Sequence, residues 1–144
     1  MESKQYAKLG VSNLKKHISY ILINCPEIKC ITLIENGKEI VYSASKSDEN
    51  PTIYIVTTTD HTKEEKRFFL KFEKKPVDIT VEIDDKYSII PKDERIECIY
   101  VIFPLIGTGS HILPFSINSS KFEPSTERNN LSLQGKSDEA EANK

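Results

Sequence analysis

The chain has 144 residues, 38% apolar and 29% charged, and its 20 basic and 22 acidic side chains leave a formal net charge of −2. That length suits one domain, able to bury a core without disulfides or metal. The interleaved, nearly cancelling charge lacks the basic excess of a nucleic-acid or anionic-membrane binder, and no apolar run approaches the roughly 18 residues of a membrane helix.

Residues 1–10 form a polar N-terminal segment without the apolar stretch of a secretory signal. The expected location is therefore the cytoplasm. Val11, Leu14, Ile18, Ile21 and Leu22 then fall at helical spacing, with Ser12 or Asn13 as the cap. Lys15, Lys16 and Ser19 are expected on the outer face. Cys25-Pro26 should end the helix, because the residue before proline avoids helical geometry.

From residue 28 the period changes to two. Residues 28–34 are rich in β-formers, and Asn36-Gly37 is a hairpin signal, since both turn positions must tolerate positive φ. Residues 38–43 return as the partner strand, and residues 45–51 read as a polar loop. Residues 52–59 form a β-branched strand. After a turn at 60–64, residues 65–72 come back with Phe68, Leu70 and Phe72 on one face. Lys74-Lys75-Pro76 breaks that run.

Val77, Ile79, Val81 and Ile83 alternate with Asp78, Thr80 and Glu82, the pattern of a strand dry on one face and wet on the other. Residues 96–103 are apolar on both faces and read as a central strand. Residues 104–133 are irregular, with one more strand at 113–117. Ser137 followed by acids reads as a helix start cut short, or as an acidic tail. The expected fold is α+β: a twisted, mostly antiparallel sheet of about six or seven strands with one N-terminal amphipathic helix packed on it. The single α+β domain should span residues 11–133, with residues 134–144 outside it.

Few residue patterns carry chemistry. Cys25, Cys30 and Cys98 are an odd set without close pairing, and the last two lie in apolar runs, as buried small hydrophobes do. Gly107-Thr108-Gly109-Ser110 has backbone donors for an anion, but it lacks the lysine and spacing of a P-loop and reads as a tight turn. His17, His61 and His111 have no partner at metal-ligand spacing. Asp84-Asp85 and Asp93-Glu94 read as solvated turn acids. The six tyrosines are spread evenly and form no stacking platform for bases. Glu127-Arg128-Asn129-Asn130 remains. A loop arginine offers a rigid fork of donors to phosphate oxygens, or else pairs with Glu123 or Glu127.

Phe103-Pro104-Leu105-Ile106-Gly107, then Pro114-Phe115-Ser116-Ile117-Asn118-Ser119, then Phe122-Glu123-Pro124-Ser125-Thr126-Glu127-Arg128-Asn129, resemble a segment of bacterial sacsin-like, heat-shock-chaperone-like (GHKL-type) ATPases. In that family a Pro-Phe-x-Ile-Asn-Ser element precedes a Phe-x-Pro-Thr-Glu-x-Arg element. The similarity covers residues 100–133, about a quarter of the 144 residues. A weaker likeness joins residues 11–23 and Pro26-Glu27-Ile28-Lys29 to the segment after the family's nucleotide-binding lobe. Asn129 departs from the aspartate more usual there.

The resemblance implies a middle or coupling domain fragment. An upstream nucleotide-binding lobe of the same protein would hold ATP and Mg, and Arg128 would reach its γ-phosphate when the two parts close. It also implies a possible protein client. The lobe's Asp-x-Gly-x-Gly element is absent, so the chain alone should bind no ATP, no metal and no cofactor. The alternative is a non-catalytic protein-interaction module with a β-rich fold.

Overall fold

A computed structural model describes residues 2–110 and 113–131 of the chain, with side chains from Gln5 onward. Helix α1 spans Glu2–Asn24. It starts nine residues before Val11, where the apolar stripe begins. Residues 2–9 are mostly good helix formers without an apolar face, so hydrophobic spacing does not mark them. Gly10 sits within the helix with open space around its Cα.

The last two turns are buried all round, from His17 to Asn24. Ser19, expected on the outer face, is among them. Its hydroxyl accepts from Arg67 Nη1 at 3.1 Å. Among the described residues no helix is long and apolar enough to cross a membrane.

Strands β1 (Cys30–Glu35), β2 (Lys38–Lys46), β3 (Ile53–Thr59), β4 (Glu64–Lys74) and β5 (Val77–Ile83) form an antiparallel meander. The Asn36-Gly37 turn between β1 and β2 has φ of 51° and 75°, the pair of positive values that a two-residue hairpin of this twist requires. Beyond them lie β6 (Ile99–Val101), β7 (Phe103–Pro104) and β8 (Ser116–Asn118), in the sheet order β1-β2-β3-β4-β5-β8-β6-β7. Only the β6–β8 pairing is parallel. Since β7 is a two-residue return of β6, the sheet has seven strands of three residues or more, and the fold is α+β as expected.

Helix α1 lies on one face of this sheet. Ile18, Tyr20, Leu22 and Ile23 pack with Val56, Phe69, Ile96 and Tyr100, and Ile31, Leu33, Tyr42, Ala44 and Tyr54 border them. The Tyr20 ring meets Phe69 edge-on at 5.4 Å, a favoured aromatic geometry.

The β4–β5 register fixes which side chains share that face. Phe69 is opposite Glu82 and Lys71 opposite Thr80. The helix therefore covers Arg67, Phe69, Lys71, Asp78, Thr80 and Glu82. The apolar row Ile79, Val81, Ile83 lies with Phe68, Leu70 and Phe72 on the other side. The helix thus lies against the polar row of β5 and not against its apolar row. The polar side chains tolerate the helix because they are paired. Arg67 donates to both oxygens of Glu82 at 2.7 and 2.6 Å, and Lys71 lies 3.2 Å from Asp78. Buried polar groups of this kind are stable only when satisfied in this way.

Candidate functional site

After β6 the chain turns back on itself in two linked loops. The first carries the glycine cluster, where η1 (Thr108–Ser110) forms a single 3-10 turn. Its donors are already occupied by the carboxylate of Glu97, which is 9% exposed. Glu97 accepts from Gly107 N–H at 3.1 Å, from the Thr108 hydroxyl at 3.2 Å and from Gly109 N–H. The same threonine oxygen accepts from the N–H groups of Cys98 and Ile99 at 3.2 Å. The turn is thus an anion cradle in which the protein's own acid takes the Gly107 and Gly109 donors.

Glycine is required twice in this turn. Gly107 has φ of 102°. A Cβ on Gly109 would stand 2.8 Å from the Glu94 carbonyl oxygen and 3.1 Å from that of Ile96.

The second loop carries Arg128. Pro124 and Leu131 pair as a β-bridge at its base. Ser125 N–H donates to the Asn130 carbonyl at 2.8 Å, and Arg128 N–H donates to the Ser125 carbonyl at 2.8 Å. Ile106 N–H reaches the Arg128 carbonyl at 3.2 Å, which ties this loop to the glycine turn. The Asn129 side-chain amide donates to Glu127 at 3.1 Å, and its oxygen accepts from the Ser125 hydroxyl at 2.9 Å.

Arg128 itself has φ of 52°, left-handed for a non-glycine residue. Its side chain is exposed, and its guanidinium makes no hydrogen bond or ion pair among the described residues. The pairing with Glu127 that the sequence allowed is absent, because Glu127 faces Asn129 instead. The backbone of the loop is therefore fixed while its one cation is left available.

Asn118, in the element preceding this loop, has a bracing role. Its Oδ1 accepts from Ile102 N–H at 2.9 Å. Ile102 has φ of 65°, a costly conformation for a β-branched residue, which the surrounding structure must hold in place.

The remaining candidates do not come together. His17 is buried on the helix with Nδ1 3.0 Å from the Tyr100 hydroxyl. His61 is exposed in the turn before β4, and His111 lies outside the described residues. Asp84 accepts from Lys86 N–H and Ser88 N–H, both at 2.8 Å, and so closes its own turn. Asp93 binds the Arg95 guanidinium at 2.5 Å. Among the described residues no group of three His, Cys, Asp or Glu is placed to hold a metal ion.

Cys98 is buried as expected. Cys30 is exposed, because it opens the edge strand on the side away from the helix. The predicted tail at residues 134–144 lies outside the described residues.

One feature escapes the sequence. The loop before β3 and the turn after β5 converge over the uncovered face of the sheet. There Ser47, Asp48, Glu49, Asp84, Asp85 and Tyr87 surround a hollow of about 390 Å³ floored by Ile53, Ile55, Phe68 and Ile83. The alternation of Phe68, Leu70 and Phe72 marks the floor. Nothing local marks which loops close over it. No known protein family, curated protein or solved structure matches this chain.

Proposed function

We propose that the chain is a coupling module of a sacsin-like ATPase, without nucleotide binding of its own, that lends Arg128 to the nucleotide site of an adjoining lobe. The observation that supports this is the state of Arg128: an exposed guanidinium without a partner among the described residues, on a loop whose backbone is fixed by bonds to Ser125 and Ile106. A guanidinium so placed stabilises charge on a transferring phosphoryl group once a second domain closes on it. In this reading ATP and Mg are held by the adjoining lobe. The filled cradle of Glu97 is a structural post beneath the arginine loop, which keeps residues 106 and 128 in register.

The test is kinetic and uses the intact ATPase. Arg128→Ala should lower turnover by about 10³-fold, the lower end of the range for arginines supplied to a phosphoryl-transfer site, while ATP affinity stays near that of the parent. Arg128→Lys should recover only part of the loss, because an ammonium lacks the planar fork. Unchanged turnover in Arg128→Ala removes the arginine from the mechanism.

A further inference from the structure

A sheet with apolar side chains on each face needs two covering layers to bury them all. Here α1 supplies one. On the opposite side Ile53, Val81 and Ile83 are buried, Ile55, Phe68, Leu70 and Ile79 are half-buried, and Phe72 is 54% exposed. Their register runs continuously across three strands, with Ile55 opposite Phe68, Phe68 opposite Ile83, Leu70 opposite Val81 and Phe72 opposite Ile79. Contiguous exposed apolar surface of this kind marks an interaction site.

The hollow at the end of this face is the informative part. Its floor is apolar, and its rim holds four carboxylates, Asp48, Glu49, Asp84 and Asp85, with no lysine or arginine among the lining residues. Asp84 uses one oxygen to close its turn. Lys86 lies within the rim turn, between Asp85 and Tyr87, so the rim keeps a net negative charge, and Lys66 on the same face of β4 is engaged by Glu64 at 3.2 Å. An apolar floor inside an acidic rim complements a bulky apolar side chain flanked by positive charges.

We infer that this groove docks a basic segment of another protein, anchored by an aromatic or aliphatic side chain over Phe68 and Ile83 and flanked by lysines or arginines facing the rim. Two other occupants fit less well. A second copy of this chain would bring a matching acidic rim to the interface, and like charges in apposition cost affinity. Residues 132–144 carry three acids and two lysines, with Leu133 as their only large apolar side chain, so their charge and composition are wrong for this groove. The inference is independent of the role of Arg128, which lies on a different loop.

Fluorescence anisotropy with synthetic peptides tests it on the chain as it stands. One labelled peptide carries a central phenylalanine between lysines. A second replaces the lysines with glutamates, and a third replaces the phenylalanine with serine. The first should bind saturably and more weakly as salt rises, and the other two should not. Asp48→Lys combined with Glu49→Lys and Asp85→Lys should weaken binding of the first by at least about tenfold, since rim charges dominate steering and partner choice. Phe68→Ser should also abolish it. If that variant fails to fold, the charge reversal alone decides.

Equal binding of the lysine and glutamate peptides would overturn the inference. So would equal binding of the serine peptide, or binding untouched by the charge reversal. A dimer in sedimentation that Phe68→Ser dissolves would overturn it too, by assigning the face to a second copy.

Discussion

His17 is a titratable group placed where its charge is unwelcome. It is 4% exposed and lies against Tyr100. Burial lowers its pKa below the ordinary 6.5. Glu97 pulls the other way, and Lys16 and Lys92 add to the lowering. The His17 Nδ1 shares a hydrogen bond with the Tyr100 hydroxyl at 3.0 Å. Burial also raises the Tyr100 pKa far above its usual range, so that hydroxyl keeps its proton.

The sign of the pH effect follows from linkage. Near and below pH 6.5 the unfolded chain takes up a proton on this histidine that the folded chain refuses. The contribution is fully present above pH 6.5 and is lost as pH falls toward the depressed folded value. Urea denaturation at pH 7.5 and at pH 5.5 should therefore show lower stability at the acid end. His17→Gln should remove the histidine's share of that slope. An unchanged slope in the variant would place the titration elsewhere.

At the scale of elements, the two faces of β4 make opposite predictions. Phe69 is fully buried against Tyr20, so Phe69→Ala should cost about 3–5 kcal/mol in chemical denaturation. Phe72, two pleats along on the uncovered side, should tolerate serine within about 0.5 kcal/mol. The reverse order would mean that the helix covers the other face.

These elements also separate what the sequence discloses from what it conceals. Asn36-Gly37 is legible because its φ requirement is local. The strand periods of β4 and β5 are legible for the same reason. Which face receives the helix is not, because the helix lies on the more polar face of β4, where Phe69 stands between Arg67 and Lys71. That choice is settled by contacts between distant residues: Tyr20 on Phe69, Arg67 on Ser19 and Glu82, and Lys71 beside Asp78. The helix start is hidden differently. Residues 2–9 are held by propensity, and an apolar stripe does not register that.

The site divides along the same line. Arg128 stands out in the sequence as a loop arginine, whereas its exposure is visible only in the fold. The occupied glycine cradle is not foreseeable, because Glu97 precedes it by ten residues or more and reads as one more strand acid. The acidic groove is likewise assembled from residues 47–49 and 84–87, which meet only after the sheet has formed.

For the whole molecule, one helix on one face of a curled sheet leaves the exposed Arg128 at one place and an acid-rimmed apolar hollow at another. Both look outward, and neither has the convergent acid, base or nucleophile that a self-sufficient catalyst needs. In the glycine turn an internal carboxylate, Glu97, occupies the backbone donors of Gly107 and Gly109.

The most direct test is a calorimetric titration of MgATP into the chain by itself. The account predicts only the heat of dilution. Saturable binding at micromolar concentration would contradict it, and would mean that a nucleotide displaces Glu97 from its cradle or finds a site elsewhere on the fold.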